Sequence, residues 1–223
     1  WNGIASIQVT LENGTWHMCS GALISHRWVL TAAHCFIEAG DIHKWKVVMG
    51  TMDLSQPSGE AKVLPIKRIL KHRHYHEDSK SNNIALVELE EPVVCSDYIQ
   101  LGCVADSSLE VTELKTCYIA GWRATLDSGS SPRAEPFHEN PARNAALQAL
   151  AWEGAGPGLA AAPDSSLLVQ GDNGGPLVCK DNVGDFFWLV GLASWGKGCA
   201  RARRPGIFTS VRHFHTWIHV HAG

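Results

Sequence analysis

The sequence contains no apolar run long enough to cross a bilayer; its longest, near Phe186 to Trp195, has the length of a buried strand. It has no strong excess of either charge, with 19 Lys and Arg against 22 Asp and Glu, so nothing global points to nucleic acid or to a membrane surface. There is no internal repeat, which excludes solenoids and propellers. The first residues carry neither a basic start nor an apolar stretch, so no signal peptide is expected. From Trp1 the chain soon enters SIQVTL, which reads as the middle of a protein. The seven cysteines cannot all pair within the chain, and at least one is left over.

What is present is ample for a folded core: 223 residues, 45% of them hydrophobic, enough for one domain or two fused halves. Short alternating runs dominate: SIQVTL, GALISHRWVL, KWKVVMG, IALVEL, CYIAGW, GPLVC, FFWLVGLASW and PGIFTSV, separated by Gly, Pro or polar turns. That pattern predicts an antiparallel all-β protein built as barrels or sandwiches. The ending, HFHTWIHVH, has helical spacing and predicts one short terminal helix. Residues 123–170 stand apart, rich in Ala, Pro, Gly and Ser and without strand alternation. They read as a surface loop or as substituted text, with a turn or two of helix at 143–152.

The cysteines point to disulfides and an oxidising compartment, and NGT at Asn13 is a glycosylation acceptor that agrees with secretion. Four stretches carry the chemistry. GDNGGPLVC at 171–179 surrounds one residue at the tip of a tight turn, the arrangement that presents a nucleophile; here that residue is Asn173. LTAAHC at 30–35 sets His34 beside a cysteine after a β run. NNIALVEL at 82–89 and SWGKGCARARRPGIFT at 194–209 complete the set. Any one alone has a bland reading as core or turn. Together they run in the chain order base, orienting acid, nucleophile.

With those motifs the chain resembles the chymotrypsin/trypsin-type serine proteases over residues 1–122 and 168–220. Within that family it is most similar to the acrosin branch, through WGKGCARARRPGIFT, ALVELEEPVVC…GC and the pair Cys95 and Cys103. The resemblance implies one peptidase domain of two antiparallel six-stranded β-barrels, with the active site in the cleft between them. His34 matches the general base. Asn83 stands at the orienting aspartate and Asn173 at the nucleophilic serine. The N–H groups of Gly171 and Asn173 match the oxyanion hole, and Asp172 the carboxylate that binds a new amino terminus after zymogen cleavage. The family's activation segment is expected to be missing, because the chain begins past its place. Leu167 falls at the base of the specificity pocket, where a trypsin-like enzyme has aspartate; Gly196 and Gly206 match its walls, and Ser194 to Gly196 the strand that pairs with substrate. The resemblance also implies bridges Cys19–Cys35 and Cys117–Cys179. Cys199 is the widow of a third bridge whose other position is Val169, and Cys95 and Cys103 would tether a separate light chain.

An amide has no hydroxyl oxygen to attack a carbonyl, and a neutral Asn83 cannot hold an imidazolium as a carboxylate does. The expected function is therefore an inactive homologue of a serine endopeptidase, with residual or ancestral proteolysis as the alternative. The losses between 123 and 169 are simultaneous, as in a decayed or misassembled coding region, whereas Asn83 and Asn173 lie in well-kept segments. A binding role is the rival to an enzyme. Arg201, Arg203 and Arg204 form one basic group and Lys67, Arg68, Lys71 and Arg73 another, and the acrosin resemblance offers sulfated glycans or egg-coat glycoproteins as partners, in a secreted setting or the acrosomal lumen. HRHYH at 72–76 and His213, His215, His219 and His221 invite a metal reading, but no cysteine or carboxylate completes a site. No metal or cofactor is expected.

Overall fold

The computed structural model describes residues 2–110, 114, 116–125, 133–139, 159–162, 173–196 and 206–223. The amino-terminal half holds six strands: β1 (Ile4–Leu11), β2 (Gly14–Ser25), β3 (Trp28–Thr31), β4 (Trp45–Met49), β5 (Lys62–Lys71) and β6 (Ala85–Leu89). They close into an antiparallel barrel in the order β1-β2-β3-β6-β5-β4. Inward-facing Ile7, Leu23, Val29, Val47, Met49, Ile66, Val87 and Leu89 fill it. GALISHRWVL, one run in the sequence, is two strands here: His26 and Arg27 turn the chain between β2 and β3.

Several of these strands are buried on both faces. On β2, β3 and β6 the residues next to the barrel core, Ala22, Leu30 and Leu86, point the other way. They pack with Val178, Leu189, Leu192, Val211, Phe214 and Ile218 in the seam between the halves. Burying a side chain such as Leu30 contributes about 1.5–3 kcal/mol. On β1 the outward Ser6 and Gln8 are also buried, so their polar groups need partners: Gln8 Nε2 donates to Ser6 Oγ (3.1 Å), which in turn bonds His17 Nδ1 (2.8 Å).

The second half contains β7 (Cys103–Val104), β8 (Cys117–Thr125), β9 (Arg133–Glu139), β10 (Leu159–Ala162), β11 (Pro176–Lys180), β12 (Phe187–Gly196) and β13 (Gly206–Ser210). Their sheet runs β10-β13-β12-β11-β8-β9, with β7 parallel to β12. The described pairings close the first barrel and leave the second as a sheet with β9 and β10 at its ends. The atypical segment 123–166, which reads as a loop in the sequence, contributes strands: β8 extends into it, β9 pairs with β8 from Ile119↔Glu139 to Thr125↔Arg133, and β10 pairs with β13. A ladder needs only backbone N–H and C=O partners, so edge segments can join it without an alternating apolar face. The turn of helix expected at 143–152 lies outside the described residues. The chain ends in α1 (His215–Ala222), anchored by buried Ile218. No helix among the described residues is long and apolar enough to cross a membrane.

Candidate active site

His34 is placed by the end of β3. There Thr31 Oγ1 donates to the Ser20 carbonyl (2.7 Å), and the chain then coils into a single 3-10 turn, Ala33–Phe36. The disulfide Cys19–Cys35 ties this turn to β2. Asn83 enters from a strained corner: Asn82 adopts φ 52°, a left-handed conformation that Asn tolerates better than most residues, and the Ile84 N–H bonds back to the Asn82 carbonyl (2.9 Å). Asn83 is fully buried, and Thr209 Oγ1 fixes its backbone carbonyl (3.0 Å).

The side-chain amide of Asn83 meets three groups, and they decide which way it points. The backbone N–H of His34 donates to Oδ1 (2.9 Å). That group can only donate, so the atom facing it must be the oxygen. Nδ2 is then left to face His34 Nδ1 (2.8 Å) and Ser194 Oγ (2.6 Å), and its two hydrogens fit these two partners. His34 Nδ1 is therefore an acceptor, and the ring proton sits on Nε2. A carboxylate at the same place would do the reverse, taking the proton of Nδ1 and leaving Nε2 free to accept one. Burial pushes the His34 imidazole below its usual value. An acceptor at residue 83 would counter this, but the geometry puts a donor there, so protonation at Nδ1 would set N–H against N–H.

Asn173 lies half-buried at the tip of the turn before β11. Its carbonyl accepts the Ser20 N–H (2.8 Å), while the Gly174 N–H bonds the Ala193 carbonyl (2.7 Å) and the Ala193 N–H bonds Gly175 (2.8 Å). The turn is thus bolted to the barrel on one side and to β12 on the other. Gly174 makes this possible. It sits at φ 75°, and a Cβ there would come within 2.5 Å of the Ser20 carbonyl and overlap Thr31 Oγ1. Ser194 falls at a register shift of β12 against β13, between Ala193 and Trp195, which frees its hydroxyl to meet Asn83. Gly196 and Gly206, expected as pocket walls, face each other across the ladder.

The fold thus gathers His34, Asn83 and Ser194 into one hydrogen-bonded cluster, with the Asn173 turn fastened to the same strands. The sequence places Ser194 in the specificity pocket and on the substrate-pairing strand; its bond to Asn83 has no signal there. Thr31 and Thr209, which hold the two loops, were also missed, since a threonine inside a strand looks like any other β-former. Gly171, Asp172, Leu167, Cys199, Arg201, Arg203 and Arg204 lie outside the described residues.

This architecture has known counterparts. The profile of the family described as Trypsin matches residues 2–218. The chain belongs to the trypsin family. Among curated proteins it is 33% identical over 226 residues to a rat (Rattus norvegicus) protein named Transmembrane protease serine 9; the match covers 95% of this chain and 20% of that relative. The chain thus spans about a fifth of the length of that trypsin-family relative.

The remaining expected features can be placed on this trypsin-family scaffold. Cys117 and Cys179 are joined across the β8–β11 ladder. Cys95 and Cys103 are free and exposed, and burial raises the pKa of the Cys103 thiol. Asn13 is exposed on the hairpin turn between β1 and β2. The only cluster of three metal-ligand side chains among the described residues is Cys19, His34 and Cys35, and its two sulfurs are already bonded to each other. In the basic group at the end of β5, Lys67 Nζ (2.8 Å) and Arg68 Nε both pair with the nearly buried carboxylate of Glu88.

Proposed function

We propose that this chain is a trypsin-family domain that holds ligands without cleaving them. The observation that carries the reading is the Asn83 amide donating to His34 Nδ1, which leaves Nε2 protonated and unable to act as a base. Asn173 supplies no hydroxyl for such a base to activate. In a Ser-His-Asp triad, exchanging the acid for its amide costs about 10⁴ in turnover, and this chain also lacks the nucleophile. The purified protein should neither react with a fluorophosphonate probe nor hydrolyse arginyl or lysyl esters above background; stoichiometric labelling would overturn the reading. Asn173→Ser alone should recover little activity, because Asn83 remains. The pair Asn173→Ser with Asn83→Asp should remain poor, because by the family resemblance Leu167 replaces the aspartate that would select Arg or Lys.

The acrosin-like motifs support a finer reading. In it Cys95 and Cys103 anchor a separate amino-terminal peptide, the protein works in a secretory or acrosomal lumen, and Arg201, Arg203 and Arg204 hold sulfated glycans through paired hydrogen bonds from planar guanidinium groups. Retention on heparin that weakens with salt and is lost in Arg201→Ala/Arg203→Ala/Arg204→Ala checks the glycan part. Passage through the column at low salt without delay refutes it.

A further inference from the structure

The two histidine-rich stretches that the triad does not use meet in space. HRHYH leaves the end of β5, the 213–221 histidines come from the carboxy-terminal turn and α1, and between them lies a groove of about 670 Å³. Its floor is aromatic: His72 stands edge-on to Phe214 and to Trp217, with ring centroids 5.3 Å apart in each pair. His74 lies 5.7 Å from His72, His213 lies 4.9 Å from Phe214, and His221 lies 5.0 Å from Trp217. Lys71 and Arg73 complete the rim, and the lining contains no Asp or Glu.

Among the described residues, no three of these ring nitrogens lie close enough to one another to share an ion. The cluster's character is cationic. The charged and titratable groups facing His72 are His74, Arg73, His213 and His221, and together with its burial they hold its imidazole below the usual value. None of the nearby acids Glu77, Asp78 and Asp106 lines the groove; Glu77 raises the Tyr75 pKa, and Asp106 interacts with His215. Histidine is the side chain that gains positive charge on passing from neutral to mildly acidic pH. Acidification therefore adds positive charge to a rim that has no carboxylate to neutralise it.

We propose that this groove is a proton-gated binding site for an acidic peptide segment of a partner protein. Charge complementarity requires an anionic ligand. The apolar lining argues for a peptide, since Val220 is 73% exposed and Trp217 half-exposed, and a polysaccharide has no apolar side chain to cover them. Carboxylates stay ionised at pH 5.5, so the gate lies in the protein's imidazoles. The proposal does not depend on whether the chain cleaves peptides.

The test is fluorescence anisotropy at constant ionic strength with a labelled peptide of Asp-Asp-Leu repeats. Binding should be at least tenfold tighter at pH 5.5 than at pH 7.5. His74→Gln/His213→Gln/His221→Gln should lose that difference, while Arg201→Ala/Arg203→Ala/Arg204→Ala should keep it. The NMR signals of the three imidazoles should move on peptide addition. Circular dichroism at both pH values and on the variant checks that the fold is retained; if the triple variant unfolds, His221→Gln alone should still reduce the pH effect. Equal affinity at the two pH values, an unchanged triple variant, or preference for a heparin oligosaccharide over the peptide at this groove would overturn the proposal.

Discussion

Replacing Asn83 by Asp should invert the protonation behaviour of His34. In the wild-type protein Nδ1 accepts a hydrogen from the Asn83 amide at 2.8 Å, and burial lowers the imidazole's pKa. A carboxylate in the same place would receive the His34 N–H, the Ser194 hydroxyl and the Nδ1 proton, so the new buried charge would be hydrogen-bonded throughout. An opposite charge at such range shifts a pKa by about 1–3 units, or about 1.4–4 kcal/mol. The His34 pKa should therefore rise from below its ordinary value to above it. The effects on stability have opposite signs. In the wild type the folded pKa is depressed, so the contribution is full above about pH 6.5 and is lost as pH falls through the folded value. In Asn83→Asp it is raised, so the contribution is full below about pH 6.5 and is lost as pH rises through the folded value. Nitrogen-15 NMR reads the tautomer directly: the wild type should show a bare Nδ1 and a protonated Nε2, and the variant the reverse. A wild-type Nδ1–H, or a His34 pKa that falls in Asn83→Asp, would refute the amide orientation and the argument built on it.

Gly174→Ala should destabilise the protein by about 2 kcal/mol or more in chemical denaturation, because the position combines a positive φ with a clash against Ser20 and Thr31. Glu88→Gln should cost about 1–3 kcal/mol, since it removes the charge that binds Lys67 and Arg68 from a nearly buried site. The Lys67 hydrogen bond holds the Glu88 carboxyl below its usual range, so the wild-type advantage should be full above that range and fade as pH falls through the folded value in an acid titration. On the isolated chain, without a separate peptide, mass spectrometry after alkylation should find Cys95 and Cys103 both modified and no bridge between them, with Cys103 slowed by its raised pKa.

The site was legible in the sequence to an unusual degree because its residues sit in contiguous motifs. LTAAHC, NNIAL and GDNGG each carry their own turn chemistry, so His34, Asn83 and Asn173 could be singled out from local text. What joins them was not legible. Ser194 reaches Asn83 across 111 positions of chain, and Thr209 across 126. No local pattern marks a hydroxyl for a distant amide. β5 was also overlooked as a strand, because Pro65 interrupts it and its basic residues look like a solvated patch; only Glu88 on the neighbouring strand shows why Lys67 and Arg68 stand there.

The sequence alone determined the strand-rich class, the terminal helix and the short motifs that carry His34, Asn83 and Asn173, because alternation and turn residues act over a few neighbours. The direction of the Asn83 amide was decided only by tertiary structure: it depends on a backbone N–H at residue 34 and a hydroxyl at residue 194, brought together by the packing of two halves. The histidine-lined groove has the same origin. Its two rims are more than a hundred residues apart in the chain, and they face one another because Phe214 and Ile218 bury themselves in the seam with Leu86 and Ile84 and bring Trp217, Val220 and His221 of α1 against the end of β5.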